Sequence, residues 1–206
     1  MSLGPHALTS LNEVKAALRL TAIDHDEELK RRINAVTDRF ELFTRRKLKA
    51  RTYKPSGAAA GEENLLLNGD DRLTDKAFLF PEWPVNSITA LTIKDSDLAD
   101  PEVVDVAKLI IDNSIPGRII LLEDDRIWRK GQNNIEATWN GGLDPVPAEL
   151  EDLCIKQVVQ DFLERDRGRE GVSSLSTSGE SVTYTPRNLM MDVEHGLERY
   201  RRMLGA

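Results

Sequence analysis

The stretch ATWNGGLDPVPAELEDLCIKQVVQDFLERDRG, residues 137 to 168, joins a predicted strand to a predicted helix across only a few residues. Pro147 suits the first turn of the helix, because its missing N–H would have no partner there. From Leu150 onward apolar residues recur at helical spacing, and Gly168 is a typical C-terminal stop signal. The stretch therefore predicts a junction between a β-rich part of the chain and a helical part.

The glycine pair Gly141-Gly142 has two interpretations, since a glycine-rich turn before a helix can also cradle phosphate. No lysine follows the pair as a P-loop requires, and no third spaced glycine completes a dinucleotide fingerprint. Acidic residues near the start of the next helix would repel phosphate there; they are Asp144, Glu149, Glu151 and Asp152. We therefore favour a structural turn or bulge over a phosphate site.

Helical patterns lie on both sides of the β-rich part, two before it and two after it. Ser10 and Glu13 form a capping box that predicts the start of the first helix. The second is predicted to begin near Asp24 or Asp26 and to run to about Lys49. The last covers residues 188 to 204. The residues expected to form the helical core are Leu29, Ile33, Val36, Phe40, Leu153, Cys154, Val158 and Phe162.

Residues 51–142 consist of short apolar runs separated by turn residues, the pattern of short strands. Pro116 and Gly117 between two such runs predict a hairpin. The fold expected is α+β: a single domain of residues 1–206, with a small helical bundle from 10–50 and 146–204 and a mostly antiparallel β-rich insert at 51–142.

The Ser/Thr/Gly-rich residues 168–187 predict a mobile loop that a partner orders. The residues of this loop expected to take part are Val172, Leu175, Val182 and Tyr184.

Composition limits the classes of partner. Asp and Glu outnumber Lys and Arg by 35 to 28, which gives a net charge of −7. Proteins that hold duplex DNA usually carry excess positive charge, because phosphate neutralisation drives their affinity. No apolar run approaches the ~20 residues of a membrane span, and the single cysteine cannot form an internal disulfide. We expect a soluble protein of a reducing cytoplasm, in which any contact with nucleic acid is local or transient.

Few side chains suggest a catalytic, metal-binding or ligand-binding site. A basic cluster at the predicted end of the second helix is either a solvated terminus or a contact for phosphate or an acidic neighbouring subunit; it comprises Arg45, Arg46, Lys47, Lys49 and Arg51. Helix capping explains Asp24, Asp26 and Glu28, with metal binding as the less favoured alternative. Cys154 lies on an apolar stripe, which favours a core role. No catalytic residue, cofactor site or metal site is predicted.

The order of several motifs along the chain carries a resemblance to a known family. The motifs are LTSLNEVKAALRL, DHDEELKRRINAVTDRFELFTRRKL, FPEWPVNSITALTI, PGRI, IEATWNGGLDPVPAELEDLCIKQVVQDFLERDR and LERYRR. Together, over about residues 9 to 203, they resemble the head–tail connector (adaptor, or head-completion) proteins of long-tailed bacteriophages and prophages. The β-rich stretch is similar to the longer branch of that family.

The resemblance implies a structural subunit of the phage neck. Such subunits form a closed ring of about a dozen copies below the portal, extend the DNA channel and help to join head to tail. The implied partners are further copies of the chain, the portal protein and a tail-side completion protein. Double-stranded DNA passes without sequence-specific binding, and neither catalysis, a cofactor nor a membrane is involved.

Two alternatives stay open from the sequence. One is a monomeric prophage interaction or regulatory module that touches nucleic acid through the basic cluster. The other, less favoured, is a metal-dependent enzyme that uses Asp24, Asp26 and Glu28.

Overall fold

The computed structural model describes most of the chain, namely residues 2–71, 74, 76–94, 102–112, 114–122, 128–166, 174–177, 180–183 and 189–202. The chain divides into two compact units. A helical unit combines Met1–Leu48 with Val146–Ala206, and a β unit comprises Lys49–Pro145. These bounds lie within a few residues of the predicted bundle and insert. That the two units act as a single domain stays a prediction.

In the described residues, the helical unit has four α-helices, as predicted. They are α1 (Leu11–Leu18), α2 (Asp26–Thr44), α3 (Ala148–Asp166) and α4 (Met191–Leu197), the last followed by a 3-10 turn at Glu198–Tyr200. The Ser10 hydroxyl accepts a hydrogen bond from the Glu13 N–H at 3.2 Å, which caps α1 as the sequence indicates. The α+β fold class is confirmed.

Helix α2 begins at Asp26, within the predicted start, but its end and its N-terminal cap differ from the prediction. It ends at Thr44 rather than near Lys49, because Arg45 adopts a left-handed conformation with φ +57°. The N–H groups of Arg45 and Arg46 both donate to the Glu41 carbonyl and close the helix. At the other end His25 occupies the cap position without a side-chain hydrogen bond, so neither Asp24 nor Asp26 caps α2.

The core of the helical unit is formed by the apolar stripes of α2 and α3. Seven of the eight residues expected there are buried: Leu29, Ile33, Val36, Phe40, Cys154, Val158 and Phe162. Leu153 is half-buried, and a Cβ at Gly196 of α4 would lie 2.7 Å from its Cδ1. Gly196 therefore permits close packing of α4 on α3.

Eight short strands in two sheets are described in the β unit. They are β1 (Arg51–Lys54), β2 (Glu62–Asn64), β3 (Ala77–Leu79), β4 (Val85–Ile93), β5 (Glu102–Val103), β6 (Leu109–Asp112), β7 (Arg118–Leu121) and β8 (Ile135–Gly141). One sheet has the order β2-β1-β8-β4-β5 and the other β3-β7-β6. Among these described strands only β1 and β2 pair in parallel, so the insert is mostly antiparallel. Strands β6 and β7 form the hairpin predicted at Pro116-Gly117, with Gly117 at φ +74°.

Aromatic side chains from both sheets fill the core of the β unit. The Trp139 ring stacks on Tyr53 with centroids 4.3 Å apart and also contacts Phe80 at 4.8 Å. Trp128 packs against Phe78, and its Nε1–H donates to the Lys76 carbonyl at 3.1 Å. This shared core means that each sheet has one face inside and one face outside.

A further hairpin lies in the segment predicted to be a partner-ordered loop. Its strands are β9 (Ser174–Thr177) and β10 (Glu180–Thr183), and they pair Leu175 with Val182. Val172 and Tyr184 lie outside the described residues. The partner contact of this segment stays a prediction.

Asn134, just before β8, joins several loops of the β unit. Its Oδ1 accepts from the Gly69 N–H at 2.8 Å, while its Nδ2 lies 3.1 Å from the Arg129 carbonyl and 3.2 Å from the Lys94 carbonyl. The side chain is buried. Removing such an amide takes this partner from three backbone groups, one buried and two partly buried.

We expect Asn134→Ala to lower the free energy of unfolding by about 2 kcal/mol, because those backbone groups would lose their hydrogen bonds. Urea unfolding measures the change. Asn140→Ala is the matched control: its Oδ1 accepts only an exposed hydrogen bond from Asn86, and we expect it to cost less than about 0.5 kcal/mol. Equal losses for the two variants would contradict the role given to Asn134.

Candidate functional site

The basic cluster does not form an exposed cationic patch. Arg46 and Arg51 are each only 5% exposed, Lys47 and Lys49 are half-buried, and Arg45 is the exposed member. The sequence reasoning placed all five on a helix end, but the helix stops before them.

Within the helical unit, Glu41 holds the segment that follows α2. Its carboxylate accepts from Lys47 Nζ at 3.1 Å and from the Leu48 N–H at 3.3 Å, and its side chain is buried. A carboxylate that takes both a cation and a backbone donor fixes the path of the chain. Lys47 therefore forms an ion pair within its own chain.

Within the β unit, Arg51 also forms an ion pair with a residue of its own chain. Its Nη1 donates to Glu63 Oε1 at 2.9 Å, an ion pair between strands β1 and β2. A guanidinium that is buried and paired inside a sheet is poorly placed to bind phosphate. The pairing of Lys47 and Arg51 therefore disfavours a phosphate contact, and the burial of Arg46 and Arg51 does not fit a solvated helix terminus.

Two of the acidic residues near the start of α2, Asp26 and Glu28, are likewise paired. Asp26 accepts from Lys15 Nζ at 2.6 Å, and Glu28 pairs with Arg32 at 3.0 Å and with Arg165. Although burial by itself would raise the pKa of Glu28, hydrogen bonds from Arg165 and Arg32 hold that pKa below its usual value. In the described part of the chain, no group of three or more His, Cys, Asp or Glu is arranged to hold a metal ion.

Cys154 lies on the buried face of α3. Burial, and next the charge of Glu151, raises the pKa of its thiol to about 12. The thiolate is the reactive form of cysteine, so this group is a poor nucleophile at neutral pH. The environment of Cys154 fits the core role expected from the sequence.

The glycine pair at the end of β8 is needed for close packing. Gly141 pairs with Arg51 on one side and Val85 on the other, and a Cβ on it would lie 2.2 Å from the Trp139 ring. Gly142 has φ +116°, and its N–H donates to the Pro84 carbonyl at 2.9 Å. That donor is therefore satisfied within the fold, which favours the structural turn over a phosphate cradle.

One surface was missed by the sequence reasoning: the outer face of the three-stranded sheet. Opposite residues of an antiparallel pair lie on the same side of a sheet, and the pairs Ala77↔Ile120 and Ile110↔Ile120 place apolar side chains together. We name this surface the apolar face; its residues are Ala77, Leu79, Ile110, Ile120 and Leu122. Ile110 is 42% exposed and Leu122 is 53% exposed.

A sequence signal for the apolar face exists. Ile110-Ile111 and Ile119-Ile120 are consecutive apolar residues, whereas a strand with one solvated face normally alternates apolar and polar residues. Consecutive apolar residues indicate a strand that is covered on both faces.

We predict that Cys154 reacts with a thiol reagent at pH 8 on the order of 100-fold more slowly in the folded protein than in the unfolded chain, because the buried thiol stays protonated. The reaction of an aromatic disulfide, followed by absorbance with and without guanidinium, measures the ratio. A folded protein that reacts as fast as the unfolded chain would show that Cys154 is accessible.

We also predict that Arg51→Gln lowers the free energy of unfolding by about 2 kcal/mol, because a buried guanidinium and its pairing with Glu63 are lost. The matched control, Arg45→Gln, removes an exposed charge and should change stability by less than about 0.5 kcal/mol. Chemical denaturation of both variants tests this. If Arg51→Gln were neutral, the structural role assigned to Arg51 would be wrong.

No curated protein matches the chain. The structure is similar to a chain from the neck of an empty GTA particle computed with C6 symmetry, with a TM-score of 0.59 and 19% identity over 100% of this chain and 96% of that one. It is also similar to a chain from the neck of a native GTA particle computed with C12 symmetry, with a TM-score of 0.59 and 17% identity over the same shares.

In the described part of the chain, no helix is long and apolar enough to span a membrane. The family described as head completion protein matches residues 7–203, and the resemblance noted from the motif order is thereby confirmed. The chain belongs to the head completion protein family, and its role is that of a structural head–tail connector.

Proposed function

We propose that copies of this chain form a closed ring between the portal and the tail-side proteins of the neck, and that the ring extends the DNA channel. The observation that carries the proposal is the fold likeness over 100% of the chain to proteins from necks computed with C6 and C12 symmetry. A ring of about a dozen copies needs a heterologous interface that closes on itself.

The charge of the chain supports a channel through which DNA passes. With a net charge of −7 the subunit offers little attraction to a polyanion. Lys47 and Arg51 are paired inside the fold. A channel lining that does not bind phosphate lets the genome move without drag. The pairing of Lys47 and Arg51 also argues against the monomeric nucleic-acid module.

The environments of the candidate catalytic and metal-binding side chains support a protein that acts without catalysis, cofactor or metal. Cys154 is buried, and Asp26 and Glu28 are engaged by cations of the helical unit. Their contacts serve packing and ion pairing, which is what a structural subunit requires. No observation favours the metal-dependent enzyme.

The first test is the mass of the purified protein across a concentration series, alone and with the purified portal ring of the same particle, with electron microscopy of large species. We expect closed rings with a central channel, formed either by the protein alone or on the portal. A protein that stays monomeric and does not join the portal ring would contradict the proposal.

Binding to a short DNA duplex at several salt concentrations provides the control. A connector should bind weakly and with a shallow salt dependence, because it makes few phosphate contacts. Tight binding with a steep salt dependence would instead support the nucleic-acid module.

A further inference from the structure

The chain contains two Asn-Gly sequences, Asn68-Gly69 and Asn140-Gly141. Asparagine is thermolabile, and a following glycine makes it more so, because glycine has no side chain to hinder the reaction and its backbone turns freely. The glycine backbone nitrogen attacks the asparagine Cγ, the Cγ–Nδ2 bond breaks, and the proton of that nitrogen leaves with the amide as ammonia. Water then opens the cyclic imide to aspartate or to isoaspartate, which lengthens the main chain by one methylene.

The packing of the β unit uses both residues of Asn68-Gly69. A Cβ on Gly69 would lie 1.8 Å from the Arg129 carbonyl oxygen, so a side chain fits there only if the backbone shifts. The Asn68 Oδ1 accepts a hydrogen bond from the Asn133 N–H at 2.8 Å. The fold therefore depends on a chemically labile pair, which a substitution would remove only at a cost in packing or hydrogen bonding.

Asn134 holds the nitrogen that would attack Asn68. The Gly69 N–H donates to the Asn134 Oδ1 at 2.8 Å, and both Gly69 and Asn134 are buried. The nitrogen becomes a nucleophile only when it loses this proton and turns toward the Asn68 side chain. A buried acceptor that keeps the proton in place opposes both changes, since the N–H would first have to give up its hydrogen bond.

We propose that Asn68-Gly69 is a latent deamidation site and that the Asn134 side chain keeps it closed in the folded protein. Gly69 begins a 3-10 turn, Gly69–Asp71, and the preceding residue Leu67 joins β8 only through an isolated bridge to Ile135. A segment attached in this way can open locally while the sheets stay intact. The inference is independent of the proposed function, because it concerns the chemical lifetime of the chain and not its assembly.

The second Asn-Gly sequence provides an internal reference. Asn140-Gly141 lies within β8, which pairs with β1 on one side and with β4 on the other. The opposite residues are Thr52 and Ser87 for Asn140. Because the imide ring forms only when the asparagine backbone leaves the extended conformation of a strand, reaction at Asn140 requires this central strand to open. Its rate therefore reports unfolding of the β unit, whereas the rate at Asn68 reports local opening.

The first test compares two variants of the full chain with wild type. Asn134→Ala removes the acceptor of the Gly69 N–H. Arg51→Gln is the matched control, since we expect it to lower the stability of the β unit to a comparable degree while it leaves Asn134 in place. The three proteins are incubated at pH 8, well below their unfolding temperatures. Peptide mass spectrometry then measures the rates of deamidation at positions 68 and 140, and urea unfolding measures stability.

We expect Asn134→Ala to raise the rate at Asn68 at least about tenfold over wild type, because loss of a buried hydrogen bond favours local opening by roughly that factor. The rate at Asn140 should change much less. Arg51→Gln should leave the rate at Asn68 close to that of wild type. An unchanged rate at Asn68 in Asn134→Ala would overturn the inference. Equal acceleration at both sites in that variant, or equal acceleration at Asn68 in the control, would also overturn it, since general stability would then set the rate.

The second test uses wild type alone and so does not depend on the folding of a variant. Nuclear magnetic resonance measures hydrogen exchange of the Gly69 N–H, which we expect to be at least about a hundredfold slower than in the unfolded chain. Deamidation at Asn68 is measured in low urea and in guanidinium, and in low urea its rate should rise in parallel with exchange of that N–H. Exchange of Gly69 as fast as in the unfolded chain, or deamidation at Asn68 as fast in the folded protein as in guanidinium, would overturn the inference.

Discussion

The closure of the β unit is the constraint on which the rest of the structure depends. Its two ends lie side by side: the Ala50 N–H donates to the Leu143 carbonyl at 3.1 Å, and Arg51 of β1 pairs with Gly141 of β8. Gly142 allows this approach, because a Cβ there would lie 2.7 Å from the Ala50 Cα. The chain therefore leaves the insert next to the point at which it began.

This closure makes a split helical unit possible. Residues up to 48 and residues from 146 form one compact unit although 97 residues of the β unit separate them. The buried stripe of α2 meets that of α3, with Phe40 and Cys154 among the fully buried side chains. A split helical unit of this kind keeps its own core, and the insert forms a separate compact unit.

Local patterns account for what the sequence predicted well. Apolar spacing predicted the four helices, Ser10 and Glu13 marked the start of α1, and Pro116-Gly117 marked the β6–β7 hairpin. The predicted end of α2 was wrong. The basic residues after Thr44 have good helix propensity, but the left-handed turn at Arg45 depends on the path of the chain that follows it. Helix propensity is a weak guide where tertiary packing decides the turn.

The sequence by itself determined the helices, the β-rich middle, the acidic balance and the order of motifs that links the chain to its family, since these depend on composition and on residues close together in the chain. Only the tertiary structure decided the strand order, the burial of Arg46 and Arg51, and the exposure of Ile110 and Leu122. Those features depend on pairs of residues far apart in sequence, such as Arg51 with Gly141, and on which face of each sheet meets the shared core.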